Sequence, residues 1–133
     1  MKLIISAGTK FKDLKKKFSQ AYPYLKVEFY DRSYSKGKVS PIKDRISPEK
    51  LISDEATKSF ESEMIDINRH RTVAELEKEF FEKFGIAMQV SRKSGKIWIE
   101  TSKTDDRTLK AQNLLGKMSS MPVGAERERM DVD

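Results

Sequence analysis

The chain has 133 residues, 37% hydrophobic and 36% charged, with a formal net charge of +6. That length makes one small domain, with a modest core under a heavily charged exterior. The absence of cysteine excludes disulfides, thiol catalysis and cysteine-bound zinc. No stretch nears the ~20 apolar residues of a membrane span, and Met-Lys-Leu-Ile-Ile-Ser is too short an apolar start for a signal peptide. A cytoplasmic protein of bacterial character is expected.

Charge is unevenly spread. Residues 1–50 carry 13 Lys/Arg against 5 Asp/Glu, whereas residues 51–133 carry 14 against 16. A basic half suits an anionic partner, either nucleic acid or an acidic protein surface. It equally suits an acidic half of the same fold.

In chain order, Lys2–Ser6 alternates as a strand. Phe11, Leu14, Phe18 and Tyr22 then fall at helical spacing, with Thr9 or Lys10 at the start and Pro23 at the end. Leu25, Val27 and Phe29 alternate as a second strand. Residues 31–62 lose the period. They hold seven serines, Gly37, Pro41 and Pro48, and read as a long mobile loop with one short helix after Ser47.

A third strand covers residues 63–68. Thr72-Val73-Ala74-Glu75 is a capping box, followed by the stripe Val73, Leu76, Phe80, Phe84 and a stop at Gly85. Ile86, Met88 and Val90 form a fourth strand. Residues 92–96 form a hairpin turn with Ser94-Gly95 at its tip, and residues 96–101 return as a fifth strand. Asp105 or Asp106 would cap a last helix with the stripe Ala111, Leu114, Leu115, Met118. Residues 119–133 have no apolar period and read as a disordered tail, leaving residues 1–118 as one domain.

These elements repeat. Leu3, Ile5, Phe11, Leu14, Phe18 and Tyr22 recur 62 positions later as Ile65, Ile67, Val73, Leu76, Phe80 and Phe84. Two strand–helix–strand units follow. The expected fold is α+β: a ferredoxin-like two-layer sandwich, with two βαβ units sharing one sheet plus a C-terminal hairpin strand and helix. Lysines on the first helix align with Glu77 and Glu79 on the second, so the two helix faces are expected to attract.

Placing the apolar set toward the helices leaves an open sheet face with Tyr24, Tyr30 and Trp98. The hairpin register expected there sets Ser91 against Trp98 and Gln89 against Glu100. Tryptophan and tyrosine are common interface anchors. The leading expectation is thus a non-catalytic cytoplasmic module that recognises a protein or self-associates as a homodimer. Trp98 packed under the loop or the last helix is the plainer reading. Lys36 and Lys38 of the loop, with Arg92, Lys93 and Lys96 of the hairpin, make an alternative surface for single-stranded RNA or DNA.

Catalytic signals are poor. His70 is the only histidine, flanked by Arg69 and Arg71. Glu100, Asp105 and Asp106 make a metal-assisted hydrolase a third alternative, but a helix cap accounts for both aspartates. No Gly-rich phosphate loop, zinc spacing or nucleophile triad is present. No cofactor and no membrane partner is expected.

The runs T-K-F-K-D-L-K-K-K-F-S-Q-A-Y-P-Y-L-K-V-E-F-Y and F-G-I-A-M-Q-V-S-R-K-S-G-K-I-W-I-E-T resemble a group of small uncharacterised bacterial proteins. The resemblance spans residues 1–30 and 65–116. It implies one compact domain with a variable middle loop, and it carries no site residues.

Overall fold

A computed structural model of the chain describes residues 1–31 and 42–121. In order they form β1 (Lys2–Ser6), α1 (Phe11–Ala21), β2 (Leu25–Tyr30), α2 (Ile52–Glu55), β3 (Ser62–Asp66), α3 (Val73–Phe84), β4 (Ala87–Ser94), β5 (Ile97–Glu100) and α4 (Leu109–Ser120). The fold is α+β. Two units of strand, helix and strand are joined by residues 31–61, and a hairpin strand and helix follow.

The strands hydrogen-bond in two sets, not in the single shared sheet expected. β1 pairs antiparallel with β3, while the second set runs β2-β4-β5. Both main ladders therefore join one unit to the other. Leu3 faces Ile65 and Glu28 faces Gln89. Each of these residues meets its own counterpart in the repeat. An antiparallel ladder does this where an approximate two-fold axis crosses it. The apolar repeat is thus an internal two-fold, and all twelve of its positions are buried.

Rows of aromatic rings fill the space between the units. Phe29 lies 4.9 Å from Phe11 of α1 and 5.1 Å from Phe80 of α3, and Phe80 continues to Phe84 at 4.7 Å. Phe29 shares its sheet face with Met88, its register partner. The Arg92 guanidinium on that same face bonds Gln112 of α4 at 3.1 Å. Hence α1, α3 and α4 all address one face of the β2-β4-β5 sheet.

The helix starts show the local chemistry. Thr72 accepts from the Glu75 amide at 3.1 Å, and Glu75 accepts from the Thr72 amide at 3.2 Å, a complete capping box. Lys10, not Thr9, precedes α1. The Thr9 hydroxyl instead takes the Ser6 amide, and Asp13 takes the Lys10 amide. Thr108, not Asp105 or Asp106, caps α4 by accepting from the Ala111 amide at 3.1 Å.

Residues 42–61 are woven into the fold. The Ile46 amide bonds the Phe29 carbonyl, and the Ile52 amide bonds the Thr9 carbonyl. The helix expected after Ser47 is a turn closed from the Lys50 amide to the Ser47 carbonyl, and α2 forms just beyond it. The remainder of the expected loop, residues 32–41, lies outside the described residues. Of the tail expected from residue 119, Ser119 and Ser120 instead complete α4, and residues from 122 on lie outside the described residues.

The helix charges pair differently from expectation. Lys15 of α1 reaches Glu28 of β2 at 2.8 Å, and Lys12 reaches Glu49 at 3.1 Å. On α3, Glu79 pairs with Arg71 and Lys83. Each helix answers its neighbouring strand or loop, and no pair joins α1 to α3 among the described residues.

α4 lies close on the sheet because residue 116 has no side chain. A Cβ there would sit 2.8 Å from the Tyr24 Cβ and 2.9 Å from the Tyr24 carbonyl oxygen. Alanine favours helix by about 1 kcal/mol over glycine, yet contacts this short force the helix away from backbone. Gly116→Ala should therefore destabilise the fold by about 1–3 kcal/mol, measured by urea denaturation. Unchanged or raised stability would refute the close approach.

Candidate binding surface at the terminal hairpin

β4 is longer than β2, and this builds the surface. Leu25 at the start of β2 pairs with Arg92, so Lys93 and Ser94 run on past the end of β2. In the ladder they pair with β5, Lys93 with Trp98 and Ser94 with Ile97, and the Lys93 amide also donates to the Tyr24 carbonyl just before β2. The hairpin tip overhangs the sheet and lacks a third strand beside it. Gly95 and Lys96 form the two-residue turn, with the positive φ at Gly95. The tip thus lies one residue later than expected, and the register moves with it. Trp98 faces Lys93 instead of Ser91, and Glu100 faces Ser91 instead of Gln89. A shift of two preserves the face, so Trp98 still lies opposite the helices.

The overhang exposes apolar groups. Ile97 is 63% exposed and its neighbour Trp98 38%. They lie on opposite faces of the outermost strand. The Lys26 ammonium sits 5.1 Å from the Trp98 ring centroid, a cation–π contact that covers part of the indole. Lys93 is half-buried and Lys96 exposed. Trp98, Lys93 and Lys96 therefore do meet at one tip.

The other predicted residues serve the fold. Tyr30 is only 2% exposed, because Arg45 bridges to it and extends the sheet at its far edge. Burial raises the pKa of its hydroxyl, against the lowering effect of Arg45. It is not an anchor on an open face. Tyr24 is half-buried; its amide donates to Asn113 of α4 and its carbonyl accepts from the Lys93 amide. Burial lowers the pKa of Arg92, with Arg107 adding to the shift. Lys36 and Lys38 lie outside the described residues. Ile97 belongs to the exposed surface although its alternation assigns it to the helix side. The greater length of the hairpin arms relative to β2 is the sequence signal for that.

The expected open face is mostly closed. Glu28, Gln89 and Ser91 on it are buried. Lys15, Lys26 and Arg45 surround Glu28 at 2.8, 3.8 and 3.9 Å. Ser102 bonds Gln89, and the Thr101 hydroxyl bonds the Val90 carbonyl at 2.9 Å.

A second acidic group is buried where β5 leaves β4. The Val90 amide, beyond the last β4–β5 pair, donates to the Glu77 carboxyl of α3 at 2.9 Å. Glu77 is 3% exposed. Burial pushes its pKa up to about 8, partly offset by the Val90 amide, while Asp105 and Glu100 push it further up. Asp105 is itself buried and its Oδ2 has no hydrogen-bond partner. Glu100, Asp105 and Asp106 were the candidate metal ligands. Among the described residues no group of three or more His, Cys, Asp or Glu is placed to hold a metal ion. His70 sits in an exposed turn, its amide bonded to the Asn68 side chain. No helix among the described residues is long and apolar enough to cross a membrane.

Comparison with family models, with curated proteins and with solved structures found no match.

Glu77 predicts a pH dependence. Its folded pKa lies above its unfolded value, so between about pH 4.5 and 8 the unfolded chain releases the proton first. Stability should fall as pH rises through that window, by up to roughly 1.4 kcal/mol per pH unit from this group. Glu77→Gln should flatten the decline in chemical denaturation curves taken across the window. A wild-type decline that persists unchanged in the variant would refute the assignment.

Proposed function

We propose that this chain is a non-catalytic binding module whose β5 edge accepts an extended, acidic segment of a partner protein. The observation that carries the reading is the overhanging tip, where Ile97 and Trp98 stand exposed on successive positions of the outermost strand. Ser94 and Ile97 close the two-residue turn, so the ladder's alternation turns the Trp98 N–H and C=O to the outer edge. A peptide adding as a strand gains main-chain bonds there and apolar contact on both faces. Lys26, Lys93 and Lys96 supply complementary charge. The chain's net charge of +6 favours an acidic partner over a second copy.

The scaffold is, on this reading, a two-layer one. It is ferredoxin-like in its paired βαβ units, though not in its strand pairing, and its setting is cytoplasmic. A nucleic-acid role draws on the same lysines, but with Tyr30 buried Trp98 is the one exposed aromatic among the described residues.

Trp98 is the sole tryptophan, so its emission reports occupancy of the edge. Titration with an acidic, strand-forming peptide should shift that emission and slow hydrogen exchange at the Trp98 amide. Ile97→Asp and Lys96→Glu should each weaken binding by roughly tenfold, about 1.4 kcal/mol, without changing the urea midpoint. An unmoved emission, or a mixed oligonucleotide outcompeting the peptide at low salt, would overturn the reading.

A further inference from the structure

On another side of the molecule, α4 and the end of α1 border an open cleft of about 380 Å³ lined by Met1, Ala21, Tyr22, Arg69, Lys110, Asn113, Leu114 and Lys117. Four of these residues come from one face of α4, at spacings of three and four. The cleft is held from both sides. The Lys110 amide bonds the Arg69 carbonyl at 3.1 Å, and the Tyr22 hydroxyl donates to the Ile67 carbonyl at 2.6 Å.

Its lining is one-sided in charge. Arg69, Lys110 and Lys117 contribute three cations, and no carboxylate lines the cleft. None of the three makes an ion pair among the described residues. Lys12 and Lys15 of α1 and Lys78 and Lys83 of α3 each have an acid partner, whereas Lys16 and Lys17 of α1, like the cleft cations, have none among the described residues. Asn113 adds neutral donors. Its Oδ1 accepts the Tyr24 amide at 2.9 Å, which fixes the side-chain amide and leaves Nδ2 unengaged among the described residues. Leu114 and Ala21 supply an apolar wall. Burial pushes the Tyr22 pKa up to about 12, with the Asp66 charge adding to the shift and Arg69 opposing it. Asp66 does not line the cleft, and its Oδ1 is taken by the Asn68 amide.

We infer that this cleft binds a small phosphate monoester, with Arg69, Lys110 and Lys117 around the phosphate and Leu114 against the organic part. Three cations with no acid partner among the described residues, Arg69 bonding only the His70 ring through its Nε at 3.4 Å, exceed what a single carboxylate needs and match a dianion. A cleft at the lower end of the usual ligand-pocket range, roughly 300–1,000 Å³, admits a body up to the size of a nucleoside monophosphate. This site is separate from the β5 edge and does not rest on the reading of it.

The test is a titration of the full chain with adenosine 5′-monophosphate, followed by amide NMR, with adenosine and inorganic phosphate as parallel arms. Saturable shifts are expected at Lys110, Asn113, Leu114 and Lys117. Adenosine should give none, and inorganic phosphate should bind more weakly than the ester. Arg69→Glu combined with Lys117→Glu should weaken binding roughly tenfold or more. Asn113→Asp keeps the acceptor for the Tyr24 amide and loses the donors, so it should weaken binding while leaving the spectrum's dispersion intact. No saturable shift, equal affinity for phosphate and ester, or shifts that survive in the double variant would each overturn the inference.

Discussion

Phe29 stands where the two units meet. Its ring touches Phe11 from the first helix and Phe80 from the third, while its backbone carbonyl takes the Ile46 amide from the connecting segment. One residue therefore ties both repeat units and the segment between them. A chain with 37% hydrophobic residues has few apolar side chains to spend on such a junction, and large rings bury more area per residue than aliphatic ones. The remaining features hang on it. α1 and α3 are fixed to one sheet face, β4 is aligned beneath them, and the end of β4 is thereby carried past β2 into the overhanging hairpin.

The copies agree in their apolar positions and differ in what surrounds them. Glu28 and Gln89 face each other where the approximate two-fold crosses the ladder. One is a carboxylate held among three cations, and the other is a neutral amide held by Ser102. Two carboxylates directly opposite in a buried ladder would repel. The asymmetry at this pair lets the repeat pack face to face. The same division runs outward. The first unit is bordered by the connecting segment, which buries Tyr30, and the second by the hairpin and α4, which provide the exposed edge and the cationic cleft.

Much of this was legible from periodicity. The strands and the three long helices lie within a few residues of where periodicity placed them, and the side of the sheet holding Trp98 followed from alternation alone. But α4 buries Leu109, Gln112 and Gly116, not the expected stripe of Ala111, Leu114, Leu115 and Met118. Partner choice was not legible. Alternation states which face a residue takes and says nothing about which strand lies beside it, so the pairing of β2 with β4 was missed. The turn sat one residue later than expected because either Ser94-Gly95 or Gly95-Lys96 places glycine in it. Glu77 lies between Glu75 and Glu79 and looks like part of a solvated face. Its partner, the Val90 amide, becomes available only because β5 ends early. Tyr30 was misplaced for a similar reason, since the residues that cover it come from a segment with no period. The cleft drew its lining from four separated stretches of chain and left no local motif.

The strand pairing has a kinetic consequence. β1 bonds to β3 and β2 to β4, so neither βαβ unit closes a ladder within itself. Lys2 must find Asp66, and Leu25 must find Arg92, before the main sheets gain their hydrogen bonds. Loop-closure entropy is lost before those contacts repay it. Only the β4–β5 hairpin and the helices are local. The non-local pairing is slow to form compared with local contacts, and a half-synthesised chain leaves β1 and β2 without their ladder partners until the second unit has emerged. Residues 1–50 carry 13 Lys/Arg against 5 Asp/Glu, so two such segments meeting before their second halves are made would repel each other.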